Sequence, residues 1–314
     1  MVLFETSLVA GVVLGGIFAL AALGIVVVYR VTGVLNFANG AMGMFATFVA
    51  WWTLHVLHPL VSTSAEAFKS PASIAVAIGL ALVFAIALGL ILENLIFRWL
   101  RGRSQLIKAV ITVGILLVLQ NLAALLFGTS SYHEPIRFFD PGRCSHGTDC
   151  FSIHLTDQVV MGYSDLLVIV VSLVLAGALA AFLRFSRLGR AMRAASEDPV
   201  AASLWGVPVN IVGSVSWVLG SVVAAIAGVL LISIGVNFDT VSLTVLVVDA
   251  LAAALIGGLV SLPLTVLGGF ILGILETLPR LWVPSTGLPK VIAVGVILAV
   301  LLIRSERSLL RRSA

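Results

Sequence analysis

Apolar residues run along the chain in stretches of about 20, with no polar face at helical or strand spacing, and short clusters of charge, Pro and Gly separate them. The stretches lie near 7–29, 33–53, 72–97, 106–127, 163–183, 210–233, 243–260, 262–279 and 288–303. Crossing the hydrocarbon core of a bilayer takes roughly 20 mostly apolar residues in a helix, so the pattern predicts an all-α polytopic membrane protein with about 8–9 membrane segments. The seventh and eighth stretches are short and share the apolar hinge Leu259-Val260-Ser261-Leu262-Pro263. They read either as two crossings or as one re-entrant hairpin buried in protein, and in both cases the chain emerges on the same side.

Composition removes the alternatives. The chain has 314 residues, 61% hydrophobic and only 10% charged, with a mean hydropathy of +1.19, where a soluble domain carries about 25% charged residues. A soluble enzyme, a nucleic-acid binder and a disordered chain are excluded, and one transmembrane domain over 1–314 is expected.

Charge placement orients the chain, because cytoplasmic loops retain Lys and Arg. With the N-terminus outside, the inner side collects Arg30, Arg98, Arg101, Arg103, Lys108, Arg184, Arg187, Arg190, Arg193, Arg304, Arg307, Arg311 and Arg312, and the outer side keeps Lys69, Arg137, Arg143, Arg280 and Lys290. The expected topology has the N-terminus outside, an extracytoplasmic loop at 128–162, a cytoplasmic loop at 184–209 and a cytoplasmic C-terminus. No Lys or Arg precedes Arg30, so the first stretch does not read as a cleaved signal peptide. On this map segments 1–4 and 6–9 enter the membrane with opposite polarity around the fifth, as in inverted-repeat architecture.

Candidate chemistry is sparse. Cys144 and Cys150 close the run Cys-Ser-His-Gly-Thr-Asp-Cys in the outer loop. An oxidising compartment and a short Gly-containing loop favour a disulfide there, with two free thiols as the alternative. The sequence has no Gly-Lys-Ser/Thr phosphate loop, no His-Glu-x-x-His and no Gly-x-Ser-x-Gly elbow, and its His spacing does not resemble a metal site. It does not read as an enzyme. If nucleotide energy drives it, hydrolysis belongs to another polypeptide.

Acidic residues at membrane depth are functional candidates by default. Glu93 lies near Arg98 and Glu276 near Arg280, so both can pair or snorkel at a boundary. Asp249 has no basic neighbour in the chain, and a cross-helix bond and a place on a solute path weigh equally for it. Asn36 and Asn39, three apart and expected on one helical face, lie close to Gly33, Gly40 and Gly43, small residues that allow close helix packing or a locally broken helix of the kind found around transport pathways, and Gln120 and Asn121 invite the same two readings. The pairs Gly11/Gly15 and Gly269/Gly273 predict close helix contacts.

The cytoplasmic run 184–209 reads as two short helices. Asp198 caps the second, Pro199 starts it, and Gly206 ends it before Val207-Pro208. Ala201, Leu204 and Trp205 then present an apolar tip suited to a groove in a cytoplasmic partner. The alternative is a basic loop lying on anionic headgroups. The acidic pair Glu197-Asp198 and the capped helix favour docking.

Four collinear motifs resemble the permease subunits of branched-chain amino acid ABC importers, the LivH type: Thr32-Gly-Val-Leu-Asn-Phe-Ala-Asn-Gly40, Arg101-Gly-Arg-Ser through Leu119-Gln-Asn-Leu122, Arg187-Leu-Gly-Arg-Ala-Met-Arg-Ala, and Gly257-Gly-Leu-Val-Ser-Leu-Pro263 with Leu267 to Glu276. The resemblance spans essentially the whole chain. It implies a type II importer-like transmembrane domain partnered with two ATPase subunits that carry ATP and Mg, a second permease (a heterodimer of homologous permeases is expected), and an extracytoplasmic solute-binding protein. This chain would bind no cofactor, metal or nucleic acid itself. It also implies that Arg187, Leu188, Gly189, Arg190, Arg193, Glu197, Asp198, Pro199, Leu204, Trp205 and Gly206 form the loop coupled to the ATPase, with Asn36, Asn39 and Asp249 as path candidates. The expected function is import of branched-chain amino acids or similar small polar solutes across a bacterial cytoplasmic membrane by alternating access. The alternative is a secondary transporter or channel.

Overall fold

The computed structural model describes residues 2–61, 71–100, 102–128, 152–156, 159–234, 239–282 and 287–310. Its helices are α1 (Val2–Thr32), α2 (Asn39–Val61), α3 (Pro71–Ile91), α4 (Gln105–Phe127), α5 (Tyr163–Phe185), α6 (Arg187–Glu197), α7 (Pro199–Leu204), α8 (Val209–Ser233), α9 (Thr240–Ile256), α10 (Leu262–Thr277) and α11 (Leu288–Leu310). All nine apolar stretches become helices. A π-turn at Leu92–Phe97 extends α3, and a 3-10 turn at Leu278–Leu281 follows α10. The departure from an all-helical chain is a small antiparallel hairpin, β1 (Ser152–Thr156) with β2 (Val159–Gly162), within the loop placed outside. Cys144 and Cys150 lie outside the described residues.

A helix that is apolar on every side belongs in an interior, and α1 occupies one. It packs against α10, α8, α9, α5 and α6, and its residues Ile17, Leu20, Leu23, Ile25 and Val28 are fully buried. Burial separates two classes among the described helices long and apolar enough to span a membrane. The most apolar window of α1 is 89% buried and that of α8 72%, while those of α3, α4 and α5 are 22% buried. The outer three expose Val83, Val110, Val118, Leu125 and Val174, which suits a lipid or protein neighbour and not water.

Small residues set how closely the inner helices approach. A Cβ on Gly15 would lie 2.7 Å from the Phe270 Cα, and one on Gly269 would lie 2.6 Å from the Ala19 Cα. The two Gly-x-x-x-Gly pairs therefore face each other, with α1 and α10 antiparallel. Gly24 and Gly220 make the equivalent approach of α1 to α8, and Gly43 sits on Ala224 where α2 runs beside α8. Aromatic pairs fill the wider gaps: Phe48 stacks on Phe127 at 5.1 Å and Phe97 on Trp217 at 4.3 Å.

One expectation changes here. Glu93 continues the buried face of Ala77, Ala81 and Ala85 at i+4 spacing, and the π-turn after it, with the Arg98 N–H on the Glu93 carbonyl at 2.8 Å, leaves Arg98 exposed. Glu93 is thus an interior residue and not a boundary one. Glu276 is buried as well.

Candidate functional site

Two regions carry polar groups in unusual places: a break in the second membrane segment, and the loop between α5 and α8.

α1 ends at Gly33, whose φ of 66° is the left-handed geometry that stops a helix, with its N–H on the Tyr29 carbonyl at 2.8 Å. The chain does not restart a helix until Asn39. Asn36 therefore sits in non-helical backbone, which corrects the expectation that it shares a helical face with Asn39. The physical reason lies in the partners of the break. The Thr112 hydroxyl of α4 accepts from the Phe37 N–H at 3.3 Å and shares its one proton between the Leu35 carbonyl at 3.0 Å and its own Ala109 carbonyl at 2.7 Å, tying down backbone that a helix would otherwise satisfy. Asn39 Nδ2 donates to the Ala21 carbonyl at 3.1 Å. Ala21 lies about 13 Å along α1 from Arg30 at helical rise, so α2 begins alongside the middle of α1 and not at its end.

Both amides are buried. Asn36 has only a long contact to the Met42 sulfur, 3.6 Å, and the Oδ1 atoms of Asn36 and Asn39 have no hydrogen-bond partner. Asn39, Gly40, Gly43 and Met44 line one small cavity with Ala21, Ala224, Gly228, Leu246, Val247 and Ala250, where the first turns of α2 meet the middle of α9. Gln120 and Asn121 lie elsewhere. Asn121 is exposed on the outer face of α4, its Nδ2 returned to the Leu117 carbonyl at 2.8 Å.

Asp249 follows Val248 on α9 and is buried, and its Oδ2 is bound by the Lys290 ammonium from the start of α11. Asp249 thus makes a cross-helix bond. Lys290 was missed by sequence reasoning because 41 positions separate it from Asp249; the only signal was a lone Lys placed two residues into an apolar helix.

The loop between α5 and α8 folds as its punctuation predicts. Ser186 ends α5 and caps α6, accepting from the Gly189 N–H at 2.8 Å. Asp198 Oδ1 accepts from Val200 and Ala201 N–H at 2.8 and 3.0 Å, Pro199 opens α7, and Gly206 at φ 78° closes it, with the Val207 N–H on the Ala202 carbonyl. α6 buries Gly189, Met192 and Ala195 and leaves Arg187, Leu188, Arg190 and Glu197 outward. Arg193 reaches back to donate to the Leu183 and Arg184 carbonyls at 2.8 and 3.2 Å, fastening α6 to the end of α5. The tip beyond is bare: Leu204 is 83% and Trp205 89% exposed, beside exposed Val200, while Ala202 faces inward. Trp205 caps α7 rather than lying on it, which leaves the indole at the extreme of the loop.

The sequence comparisons agree with this architecture. Residues 7–303 match the family described as branched-chain amino acid transport system, permease component. The chain is 31% identical to the high-affinity branched-chain amino acid transport system permease protein BraD of Pseudomonas aeruginosa over 95% of this chain and 93% of that protein. It is also 31% identical to LivH of Escherichia coli, over 96% and 93%, and 27% identical to a probable LivH permease of Methanocaldococcus jannaschii, over 93% and 88%. No solved structure matches the chain. These findings define a multi-pass membrane permease, a transport subunit and not an enzyme. The chain belongs to the family of branched-chain amino acid transport permease components.

Proposed function

We propose that the chain is the permease subunit of an ATP-driven importer of branched-chain amino acids or similar small polar solutes, acting by alternating access in a cytoplasmic membrane. The observation that carries the reading is the capped helix α7, a rigid apolar tip with Leu204 and Trp205 outward on a base clamped by Arg193. An exposed indole and leucine on so short a helix gain little by facing water and fit a groove in a partner. That partner is an ATPase subunit, two per assembly, holding ATP and Mg. A solute-binding protein delivers on the opposite face.

The helix contacts support an inverted repeat within a single transmembrane domain. α1 meets α10 as α8 meets α3, α1 meets α9 as α8 meets α2, and α2 meets α3 and α4 as α9 meets α10 and α11. The break before α2 falls where such repeats place their discontinuous helices, so Asn36, Asn39 and, on α9, Asp249 are the polar groups we assign to the path. An exposed Asn121 amide amid the apolar face of α4 supports a second permease covering that face. Arg30 beside Arg193 agrees with both lying on the cytoplasmic side, and the N-terminus then lies outside.

A self-powered carrier would need a carboxylate free to titrate, and Asp249, its best candidate, is held by Lys290. Trp205→Asp tests the reading in proteoliposomes of the full complex. Expected is a folded subunit whose solute uptake is no longer tied to ATP hydrolysis; unchanged coupling removes α7 from the mechanism.

A further inference from the structure

A groove of about 850 Å³ opens between the last turns of α3, with the π-turn that extends it, and the first turns of α8. That is the size of a small-molecule site. Its walls change character along its length. Arg98, Asn94, Ser203 and Asn210 stand at the end next to α7, around the link 207–209, and Ile211 and Ser214 follow along α8. Leu90, Val215, Val218 and Leu219 line the far end. Leu90 and Ile211 are exposed and Val215, Val218 and Leu219 half-buried, so the apolar wall is open. From Asn210 to Leu219 the groove follows α8 for roughly 14 Å at helical rise. Arg98 is exposed, and its guanidinium makes no hydrogen bond or ion pair to a described residue. Glu93, the nearest carboxylate along the chain, is buried and off the groove wall. Trp99 beside Arg98 is exposed too, as aromatic side chains are at the boundary of a bilayer.

We propose that this groove holds an anionic phospholipid of the cytoplasmic leaflet, its phosphate on Arg98 and an acyl chain along Leu90, Val215, Val218 and Leu219. The change from polar to apolar walls selects this occupant. α3 and α8 are both long and apolar enough to cross a membrane, so the far end lies at membrane depth, beyond the reach of a soluble partner. An ATPase docked at α7 meets only the end at Ser203 and Asn210, and a free phosphate has nothing to place against the far end. A planar guanidinium offers paired donors to phosphate oxygens, and an unpaired cation at headgroup level favours an anionic lipid over a zwitterionic one. The lipid then lies against the link 207–209 that joins α7 to α8, between the docking tip and the bilayer. The choice of leaflet rests on the topology proposed above; the groove and its two ends do not.

The test is native mass spectrometry of the purified full-length subunit offered matched phosphatidylglycerol and phosphatidylcholine. Wild type is expected to retain phosphatidylglycerol preferentially, and Arg98→Gln to lose about five-fold of that preference, the worth of one basic side chain at a lipid surface. Arg98 is exposed and its side chain fastens no backbone, so the variant keeps the fold, which elution as a single species in gel filtration checks. Ser214→Trp sets an indole across the middle of the groove with Arg98 intact and is expected to lower retention at least as far. Arg187→Gln, exposed on α6 and off the groove, is expected to keep the preference. Equal retention of the two lipids by wild type, or an unchanged preference in Arg98→Gln, overturns the site. An unchanged preference in Ser214→Trp overturns the groove in favour of surface charge alone, and displacement of the lipid by millimolar inorganic phosphate overturns it in favour of a free anion. None of these readings uses transport, so failure here leaves the Trp205→Asp test of the importer reading intact.

Discussion

Replacing Gly273 with alanine puts a methyl group where the structure has no room for one. The added Cβ would lie 2.5 Å from the Gly15 Cα and closer still to the Gly11 carbonyl oxygen and the Gly15 nitrogen. Carbon atoms pack at about 3.5–4.0 Å, so the deficit exceeds about 1 Å. Every atom in the way is backbone, and none can rotate aside. α1 cannot retreat, because α8 and α9 also pack against it, so α10 must lift off along the whole seam. Overpacking of this kind costs about 1–3 kcal/mol. Alanine also gains up to about 1 kcal/mol of helix propensity over glycine, which obscures the clash. Gly177→Ala on α5 removes that ambiguity: nothing lies within 4 Å of its added Cβ, so it carries the propensity gain alone. The difference between the two variants, read by denaturant titration of the purified subunit in mixed micelles, is expected to be about 1–3 kcal/mol, with Gly273→Ala the less stable. If the two unfold within about 0.5 kcal/mol of each other, the α1–α10 seam does not pack on these glycines and the description of the core is wrong.

Three further perturbations bear on the sites. Lys290→Met leaves the Asp249 carboxylate buried without its cation and is expected to cost about 3 kcal/mol; Asp249→Asn leaves a lysine that is 43% exposed and costs less. The double variant should recover most of the loss, and a thermal melt in which the single losses simply add would refute the pairing. Thr112→Val keeps the shape of the side chain but removes both bonds to the 33–38 break, with about 1–2 kcal/mol lost locally. Faster amide exchange at Phe37 is the expected readout, and no change there dismisses Thr112 as the anchor. Gly189→Ala sets a Cβ 2.5 Å from the Phe182 and Leu183 carbonyls and pushes α6 off the end of α5. ATPase subunits should still co-purify while uptake per ATP falls, and normal stoichiometry would show that the clamp transmits nothing.

How much was legible in the sequence follows from what a bilayer does to the pattern. Charge and Pro marked the nine segments because each interrupts a long apolar run, and Asp198, Pro199 and Gly206 marked α7 because caps are local chemistry. Gly11/Gly15 and Gly269/Gly273 announced close contacts, though not that they contact each other. Neighbours were hidden for a physical reason: lipid and protein interior are equally apolar, so the buried α1 and the lipid-facing α3 look alike in hydropathy. Gly33 beside Asn36 marked a broken helix as one of two readings at 33–38, and what the sequence could not show was the partner, Thr112 of α4, that holds the break. Lys290 was hidden by its distance along the chain from Asp249, and the burial of Glu93 by apolar residues on every side of α3, which leave its buried face unmarked in the sequence.

Rigid and yielding parts alternate along the line a push on α7 would follow. From Trp205 the strain passes through the Asp198 cap into α6, and from α6 into α5 through Arg193, Ser186 and the close contact at Gly189. Each link is a short hydrogen bond or a contact without slack, and α6 also leans on α1. α1 is fixed to α10 and α8 by backbone-to-backbone approach, so the inner bundle moves as a unit or not at all. The chain at 33–38 is held differently: few of its own backbone bonds, one threonine from α4, and a buried Asn36 amide oxygen with no partner, with that of Asn39 just beyond it at the start of α2. A displacement that cannot be absorbed in the bundle is absorbed where the bonds are fewest. On the proposed reading this places the give beside Asn36 and Asn39, so the polar groups assigned to the path sit at the joint that the ATPase would work.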